Sequence, residues 1–472
     1  MLLNKEIFRS YDIRGVYGDH LTESLAESVS YVFAVRVFEE TGKNNIRISL
    51  GRDIRFSSSD LHRGAVRGLL KAGADVVDLG ECPSPLTYFS MYSADTDGYL
   101  MITGSHNPPQ FNGLKVGTKN TVYHTDKIER IYTDIVTDLK SPKTEPGSLS
   151  EYDVISDYKA YMTDHFSGLK NSIKKLGRPL RIVIDCGSGT ASGIAPDIFT
   201  ALGADVLPLY CVPDGSFPGH HPDPTVEKNM REAKDLLIRK SADMAVGYDG
   251  DADRVGALDD KGQMIWGDEL LCVLAGSIAE KHKGATVVAD VKASKGLYEY
   301  ISSIGMNPVM YRSGHSMIKV RMKELKAVLG GEMSAHIFFA DRYFGFDDGI
   351  YASLRLVEAY VEGLLSGRFS VSSDMTAGIP KYVSTPEIRE PFPDDKKFEV
   401  PEKLKNVFAD YKKYGIISVT DIDGVRVEFE KGWALVRASN TEPLLVTRYE
   451  AENENELTRI RSLITTELDK LK

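Results

Sequence analysis

Residues 46–53 read IRISLGRD, a β-rich run that ends in a polar loop. A helical stretch follows through HRGAVRGLLKAGAD (62–75), then a second apolar run, VVDLG (76–80), and after another helical stretch a third, GYLMITGSHN (98–107). The same order returns at LRIVIDCGSG (180–189), LGADVLPLY (202–210) and ADMAVGYDGD (242–251). It returns again at ATVVADVKAS (285–294), IGMNPVMY (304–311) and KAVLGGEMS (326–334). Short apolar runs alternating with helical segments are the pattern of βαβ units around a buried, mostly parallel sheet. The expected fold is therefore α/β, with three tandem related α/β domains.

The final hundred residues differ. A Pro- and charge-rich stretch, PEIREPFPDDKKFEVPEKL (386–404), reads as a connector or an irregular start. Short strands follow at GIISVTDIDGVRVEF (415–429), GWALVRAS (432–439) and PLLVTRYEA (443–451), and residues 452–472 read as an amphipathic helix. This is an α+β domain. The expected boundaries are 1–150, 151–256, 257–372 and 373–472.

The third strand of each repeat ends in a polar loop: TGSHNP, GYDGDADR or GGEMSAH. In open parallel sheets ligands gather at the carboxyl ends of strands, so three equivalent loops are expected to line one central cleft.

Composition bounds what that cleft holds. Of the 472 residues 42% are hydrophobic and 27% charged, ordinary values for a globular chain. A net charge of −10 argues against a nucleic-acid partner, which needs a basic face. The four cysteines, Cys82, Cys186, Cys211 and Cys272, lie far apart, indicating neither a thiolate zinc site nor a disulfide framework. The start, MLLNKEIFRS, carries charges where a signal peptide needs an apolar core, and the longest apolar runs are too short to span a bilayer. A reducing cytoplasm is the expected location, with no membrane partner.

In GYDGDADRVG (247–256), Asp249, Asp251 and Asp253 alternate on a tight turn directly after an apolar run. Three carboxylates so spaced can face one small hard cation; Mg²⁺ prefers oxygen ligands and often shares them with a substrate phosphate. An EF-hand loop fails here, because its sixth position should be Gly and is Arg254, and its twelfth should be Glu and is Asp260. Arg254 would sit beside the metal, free to hold phosphate oxygens or the carboxylates.

In TGSHNPPQFNGLK (103–115), Ser105 is presented at a strand end after Gly104. The GxSxG elbow of hydrolases is absent. Read alone, Ser105 is either a turn hydroxyl or a nucleophile that needs a metal and a base. His106 and Lys115 have equally ordinary alternatives. Glu332, Ser334 and His336 suit sugar hydroxyls, and Arg437, Ser439, Asn440 and Thr441 have the composition of a phosphate cradle.

Taken together and in order, TGSHNPP, DGDADR, GEMSxH and RxSNTxP, with FRSYDIRG near the start, resemble the α-D-phosphohexomutase superfamily, in particular its phosphomannomutase/phosphoglucomutase branch. The resemblance spans essentially the whole chain and implies four domains around a central cleft. It implies an isomerase that moves phosphate between C1 and C6 of a hexose (mannose and/or glucose) through a phosphoserine and a hexose 1,6-bisphosphate. Ser105 would then carry the phosphate and complete a Mg²⁺ site with Asp249, Asp251 and Asp253. Arg14, Lys115, His106 and Arg254 would serve the transfer, and Tyr11 the substrate. Glu332, Ser334 and His336 would read the sugar, and Arg437, Ser439, Asn440, Thr441 and Arg448 would hold the non-reacting phosphate. Lys292 and His315 match further substrate contacts. The implied partners are small hexose phosphates, with a hexose 1,6-bisphosphate as activator and a monomer or homodimer as the assembly. The loop DGSFPGHHPDP (214–224) also matches the family but suggests no chemical role.

Small departures occur: Ala335 where Gly is usual, Phe111 where Tyr is common, Ala293 where Cys is frequent. Met333 favours the phosphomannomutase/phosphoglucomutase branch over phosphoglucosamine mutases, which tend to carry Gln or Lys there. Two other readings are a phosphatase using the same phosphoserine and a non-catalytic sugar-phosphate or Ca²⁺-binding protein.

Overall fold

The computed structural model describes residues 3–119, 121–393, 395–439 and 443–471. They form two compact units, Met1–Leu274 with Ser334–Ala377, and Ala275–Met333 with Gly378–Lys472.

The first unit holds two sheets. The first contains β1 (Ile13–Val16), β2 (Arg47–Arg52), β3 (Asp75–Glu81), β4 (Gly98–Ile102), β5 (Phe111–Thr118) and β6 (Leu149–Glu151), in spatial order β1-β5-β4-β2-β3-β6. β2 pairs in parallel with both β3 and β4, while β5 returns antiparallel beside β4. The second contains β7 (Arg181–Asp185), β8 (Asp205–Leu209), β9 (Met244–Tyr248), β10 (Val255–Leu258) and β11 (Met264–Ile265), in order β11-β10-β9-β7-β8. Again the first strand of the repeat is central and parallel to the other two, and a return strand runs antiparallel beside the third. In the second unit β12 (Thr286–Asp290) lies parallel between β13 (Asn307–Tyr311) and β14 (Leu329–Gly331). The same three-strand order therefore occurs three times, as the repeated sequence pattern requires.

Burial explains the continuous apolar runs. Every residue of β4 and of β9 is buried, because helices cover both faces of a parallel sheet. Helix Glu23–Thr41 packs Val29, Phe33 and Val37 into the core that contains Ile48, Leu50 and Leu100. It starts where the Thr22 side chain accepts from Leu25 N (3.2 Å) and stops at Gly42, at φ +64°.

The remaining strands, β15 (Ile337–Phe339), β16 (Val383–Ser384), β17 (Ile388–Pro391), β18 (Ile416–Thr420), β19 (Val425–Phe429), β20 (Gly432–Ala438) and β21 (Leu444–Ala451), complete the chain. All but β15 belong to the antiparallel C-terminal sheet, whose core includes Val427, Leu445 and, from helix Glu454–Asp469, Ile460 and Ile464. Here the structure departs from the connector expected at 386–404. Part of that stretch is β17, paired antiparallel with β21, and part is helix Glu399–Val407. Proline is admitted because Pro391 ends an edge strand and Pro401 lies in the first turn of the helix. Arg426, fully buried, stacks 3.8 Å from the Trp433 ring and donates to the carbonyls of Val291 (2.6 Å) and Ala293 (2.8 Å), fastening this sheet to the end of β12 within the second unit.

Candidate active site

In the first unit the two antiparallel returns, β4 to β5 and β9 to β10, bring their loops together. Ser105 is 3% exposed and adopts φ +48°, a left-handed conformation that a non-glycine residue takes only when its surroundings hold it there. Its N–H donates to Thr103 Oγ1 (2.8 Å), and Gly104 N donates to Asp53 Oδ2 (3.0 Å). From below, the Arg55 guanidinium donates to the carbonyls of Ser105 (2.7 Å), Asn107 (2.6 Å), Pro108 (2.8 Å) and Phe111 (3.1 Å), and pairs with Asp53 at 3.2 Å. A Cβ at position 104 would lie 2.5 Å from Arg55 Nε, so only glycine fits there. The Ser105 hydroxyl is thereby aimed at Asp249 Oδ2, to which it donates at 2.8 Å.

Asp53 and Arg55 were not singled out by sequence reasoning; the signal available was the polar end of the opening run, LGRDIR. Because Arg55 alone fills four loop carbonyls, Arg55→Leu is expected to cost about 3–5 kcal/mol, as for other buried charges that lose a partner. A urea midpoint lowered accordingly, together with reduced turnover, is the check; an unchanged midpoint would mean the loop supports itself.

Asp249, Asp251 and Asp253 are all fully buried, and one carboxylate oxygen from each falls within a 4.8 Å group. Gly250 lets the loop lie against Ser105, since a Cβ there would come within 2.5 Å of the Ser105 carbonyl oxygen. Lys115 Nζ, on β5, donates to Asp251 (2.7 Å) and Asp253 (2.6 Å), and Ser84 Oγ donates to Asp251 (2.5 Å). Burial and the two neighbouring carboxylates push Asp249 well above the ordinary carboxylate range. Burial also opposes ionisation of Asp253, yet Lys115 and His336 beside it hold that carboxyl well below the range. Three carboxylates thus face two cations, Lys115 and Arg254, whose Nε lies 3.9 Å from Asp249 Oδ2, and Asp251 Oδ1 is buried without a hydrogen-bond partner among the described residues. An all-oxygen donor set with surplus negative charge and an unfilled acceptor fits a hard divalent cation.

Other expected residues surround this pair of loops. Arg14, in β1, donates to Asn107 Oδ1 (3.0 Å) and pairs with Asp12. Tyr11 is half-buried in the bend just before β1. Arg254 donates through its backbone N–H to Asp249 Oδ1 (3.2 Å) and through Nε to His336 Nε2 (3.3 Å). His336 Nε2 lies 3.3 Å from Asp253 Oδ1, and its Nδ1 is 3.2 Å from Ser334 Oγ. His336 is therefore a neighbour of the carboxylate loop. Ala335 between them has φ +65°, the backbone reason that glycine is usual at this position.

His106 Nδ1 meets Asp223 Oδ2 at 3.0 Å. Burial and then the positive Arg254 pull the imidazole down to about 4, so near neutral pH it is uncharged. Asp223 also accepts from Thr225 N (3.0 Å) and Oγ1 (2.6 Å), and these bonds with His106 and Arg254 hold it well below its ordinary range against its burial. Asp223 belongs to DGSFPGHHPDP, the stretch that suggested no role: it orients His106, the neighbour of Ser105.

The second unit holds the remaining expected residues. Lys292 lies 3.2 Å from Glu387 and 3.8 Å from Asp290. Arg437 pairs with Asp423 at 3.1 Å, and Arg448 Nη1 donates to Lys292 O (2.5 Å). Glu332 accepts from Gly314 N (2.6 Å), just before helix His315–Leu325, which His315 begins. Asp290 at the end of β12 accepts from Ser313 Oγ (3.0 Å) and Met333 N (3.3 Å), so one buried carboxylate ties the ends of all three strands. Asp290, Glu387 and Asp423 had no sequence signal of their own. Ser439 is buried at the end of β20; Asn440 and Thr441 lie outside the described residues.

Three repeated α/β strand groups, an antiparallel C-terminal sheet and a serine aimed at a carboxylate loop define a class of four-part phosphate-handling enzymes. Comparison with known proteins agrees. The phosphoglucomutase/phosphomannomutase alpha/beta/alpha domains I, II and III match residues 5–141, 159–262 and 266–375, and the C-terminal domain of the same family matches 387–467. The phosphomannomutase/phosphoglucomutase of Pseudomonas aeruginosa is 39% identical over 99% of this chain and 96% of its own length. A phosphoglucomutase of Neisseria gonorrhoeae is 35% identical over 98% and 96%. The crystal structure of a phosphoglucomutase/phosphomannomutase family protein from Burkholderia thailandensis superposes with a TM-score of 0.86 at 34% identity, covering 98% of this chain and 96% of that one. The chain belongs to the phosphoglucomutase/phosphomannomutase family, whose members are phosphohexomutases. Among the described residues no helix is long and apolar enough to cross a membrane.

Proposed function

We propose that this chain interconverts hexose 1-phosphate and hexose 6-phosphate, with mannose and glucose as its sugars, by way of a phosphoryl group on Ser105. The observation that carries the reading is the buried, left-handed Ser105 whose hydroxyl meets Asp249 at 2.8 Å beside two carboxylates held by Lys115. A hydroxyl confined this way loses little further freedom on reaching the transition state.

In the proposed cycle the Ser105 phosphoryl passes to the free hydroxyl of a hexose monophosphate, giving a hexose 1,6-bisphosphate and free serine. The bisphosphate reverses, and its other phosphoryl returns to Ser105. Mg²⁺ held by Asp249, Asp251, Asp253 and the Ser105 oxygen would supply charge stabilisation for the transferring phosphoryl. Lys115 and Arg14 add fixed positive charge near Ser105, and Arg254 and neutral His106 shape the same surroundings. His336 Nε2 accepts from Arg254 Nε and lies beside Asp253. Tyr11, Glu332, Ser334 and His336 are proposed to read the sugar, Lys292 and His315 to make further substrate contacts, and Arg437, Ser439, Asn440, Thr441 and Arg448 to hold the phosphate that is not transferred. A cytoplasmic enzyme, monomeric or dimeric, with a hexose 1,6-bisphosphate as activator completes the proposal.

The test is a coupled assay with mannose, glucose and glucosamine 1-phosphates. The first two are expected to turn over, and enzyme stripped of phosphate is expected to regain activity on adding glucose 1,6-bisphosphate. Release of inorganic phosphate at the rate of substrate loss would replace the mutase with a phosphatase.

A further inference from the structure

Far apart in sequence, Cys186 and Cys211 meet in the second sheet. β7 and β8 run parallel with Asp185 opposite Leu209, and the two cysteines lie one and two residues beyond these strand ends. Their Sγ atoms are 3.0 Å apart. The backbones are pinned on either side of the pair by Cys186 N to Leu209 O (3.1 Å) and Ser188 N to Tyr210 O (2.8 Å). Cys186 is buried, whereas Cys211 is only half-buried.

We propose that Cys186 and Cys211 are a modification site, a dithiol that hydrogen peroxide converts to a reversible intrachain disulfide, and that this bond slows the enzyme through the carboxylate loop. A disulfide needs about 2.05 Å between sulfurs, so the atoms must close by about 1 Å. The half-exposed Cys211 is the sulfur an oxidant reaches. The Cys186 sulfur beside it lowers the Cys211 thiol from its ordinary value against its partial burial, while burial raises Cys186 far above that value.

The step balances. The Cys211 thiolate attacks one peroxide oxygen, the O–O bond breaks, and the departing hydroxide takes a proton to become water. Cys186 sulfur then attacks the sulfenic sulfur, the S–S bond forms, and the S–O oxygen leaves as water with the Cys186 proton. Two thiols are oxidised by two electrons and one peroxide becomes two waters.

The link to the site is a short run of backbone. Cys186 O accepts from Gly189 N (2.7 Å), and the next residue, Thr190, donates from N (3.1 Å) and Oγ1 (3.2 Å) to Gly250 O, between Asp249 and Asp251. Drawing Cys186 toward Cys211 pulls on the brace beneath the carboxylates. Displacements of about 1 Å at reacting groups cost up to ~10²-fold in rate; one layer removed, we expect a loss of about tenfold.

The experiment treats the full-length protein with hydrogen peroxide, quenches with an alkylating agent, and reads intact mass, free thiols and turnover. The expected result, against the reduced chain alkylated in the same way, is a mass lower by two alkyl adducts plus about 2 Da for the two hydrogens lost, free thiols falling from the four present in the reduced chain to two, and a peptide joining Cys186 to Cys211. Turnover should fall and return with dithiothreitol. Cys211→Ser should keep its turnover under peroxide, and Cys186→Ser should stop at a dimedone-reactive sulfenic acid on Cys211. Four intact thiols after peroxide, a bond that joins two chains, or a complete internal disulfide with unchanged turnover would each overturn the proposal. The mass and thiol readings need no substrate, so they stand apart from any failure of the mutase reading.

Discussion

Ser105→Ala is expected to lose turnover by on the order of 10⁴-fold or more, because the hydroxyl removed is the one aimed at Asp249 and the carboxylate loop. Intact-mass measurement of the wild type should find a species about 80 Da heavier, one phosphoryl group, and the variant should lack it. Stability should hardly change. Among the described residues the hydroxyl makes one hydrogen bond, to Asp249, worth about 1 kcal/mol. Removing it also removes the burial of a polar group beside a carboxylate that is itself pushed toward its neutral form. The unusual backbone at residue 105 is held by Thr103, Asp53 and Arg55, none of which depends on the hydroxyl. A variant that folds as well as the wild type but does not turn over therefore isolates the chemistry. Turnover within an order of magnitude of wild type, or an 80 Da species that persists in Ser105→Ala, would remove Ser105 from the mechanism.

Asp249→Asn should reduce turnover by about 10²–10³-fold, the size of effect seen when one preorganised electrostatic contact is removed from a reacting centre. The same substitution should leave the metal-free protein as stable as wild type, or more so. Lys115 pairs with Asp251 and Asp253, Arg254 only approaches Asp249 at 3.9 Å, and Asp249 is the one whose ionisation burial and its two neighbours oppose. Asparagine keeps the shape and relieves the repulsion: its one oxygen accepts from Arg254 N, and the Ser105 hydroxyl turns to accept from its amide. Stability and activity thus move in different directions, as expected where a site is built for function. EDTA should abolish wild-type turnover and Mg²⁺ restore it. Mg²⁺ should raise the melting temperature of the wild type more than that of Asp249→Asn, since a ligand stabilises by binding the folded state. Equal shifts in both proteins would place the cation elsewhere.

The sequence alone carried the repeat, the polar loops and the spacing of the carboxylates, because each is a local property. Strands buried on both faces must be apolar throughout, so β2, β4, β7, β9 and β12 are legible as runs, and their recurrence is legible as three related folds. Asp249, Asp251 and Asp253 alternate within five residues, and a tight turn suffices to bring them together. Ser105 was visible as a presented serine, and family resemblance supplied its proposed role.

Only the tertiary structure decided how the buried charges are matched. Lys115 pairs with Asp251 and Asp253 across 136 and 138 residues of chain, and Asp223 reaches His106 across 117. Arg55 supports the Ser105 loop from a strand end about fifty residues earlier. His336 reads in sequence with Glu332, yet its ring nitrogen meets Asp253 and Arg254, because a left-handed Ala335 turns the chain between Ser334 and His336. The Pro-rich stretch at 386–404 contains a strand because β21 offers it an edge to pair with. Cys186 and Cys211, 25 residues apart, adjoin because parallel strands bring their ends side by side. Periodicity records which residues are buried; the partner that makes a buried polar group tolerable is chosen by the fold.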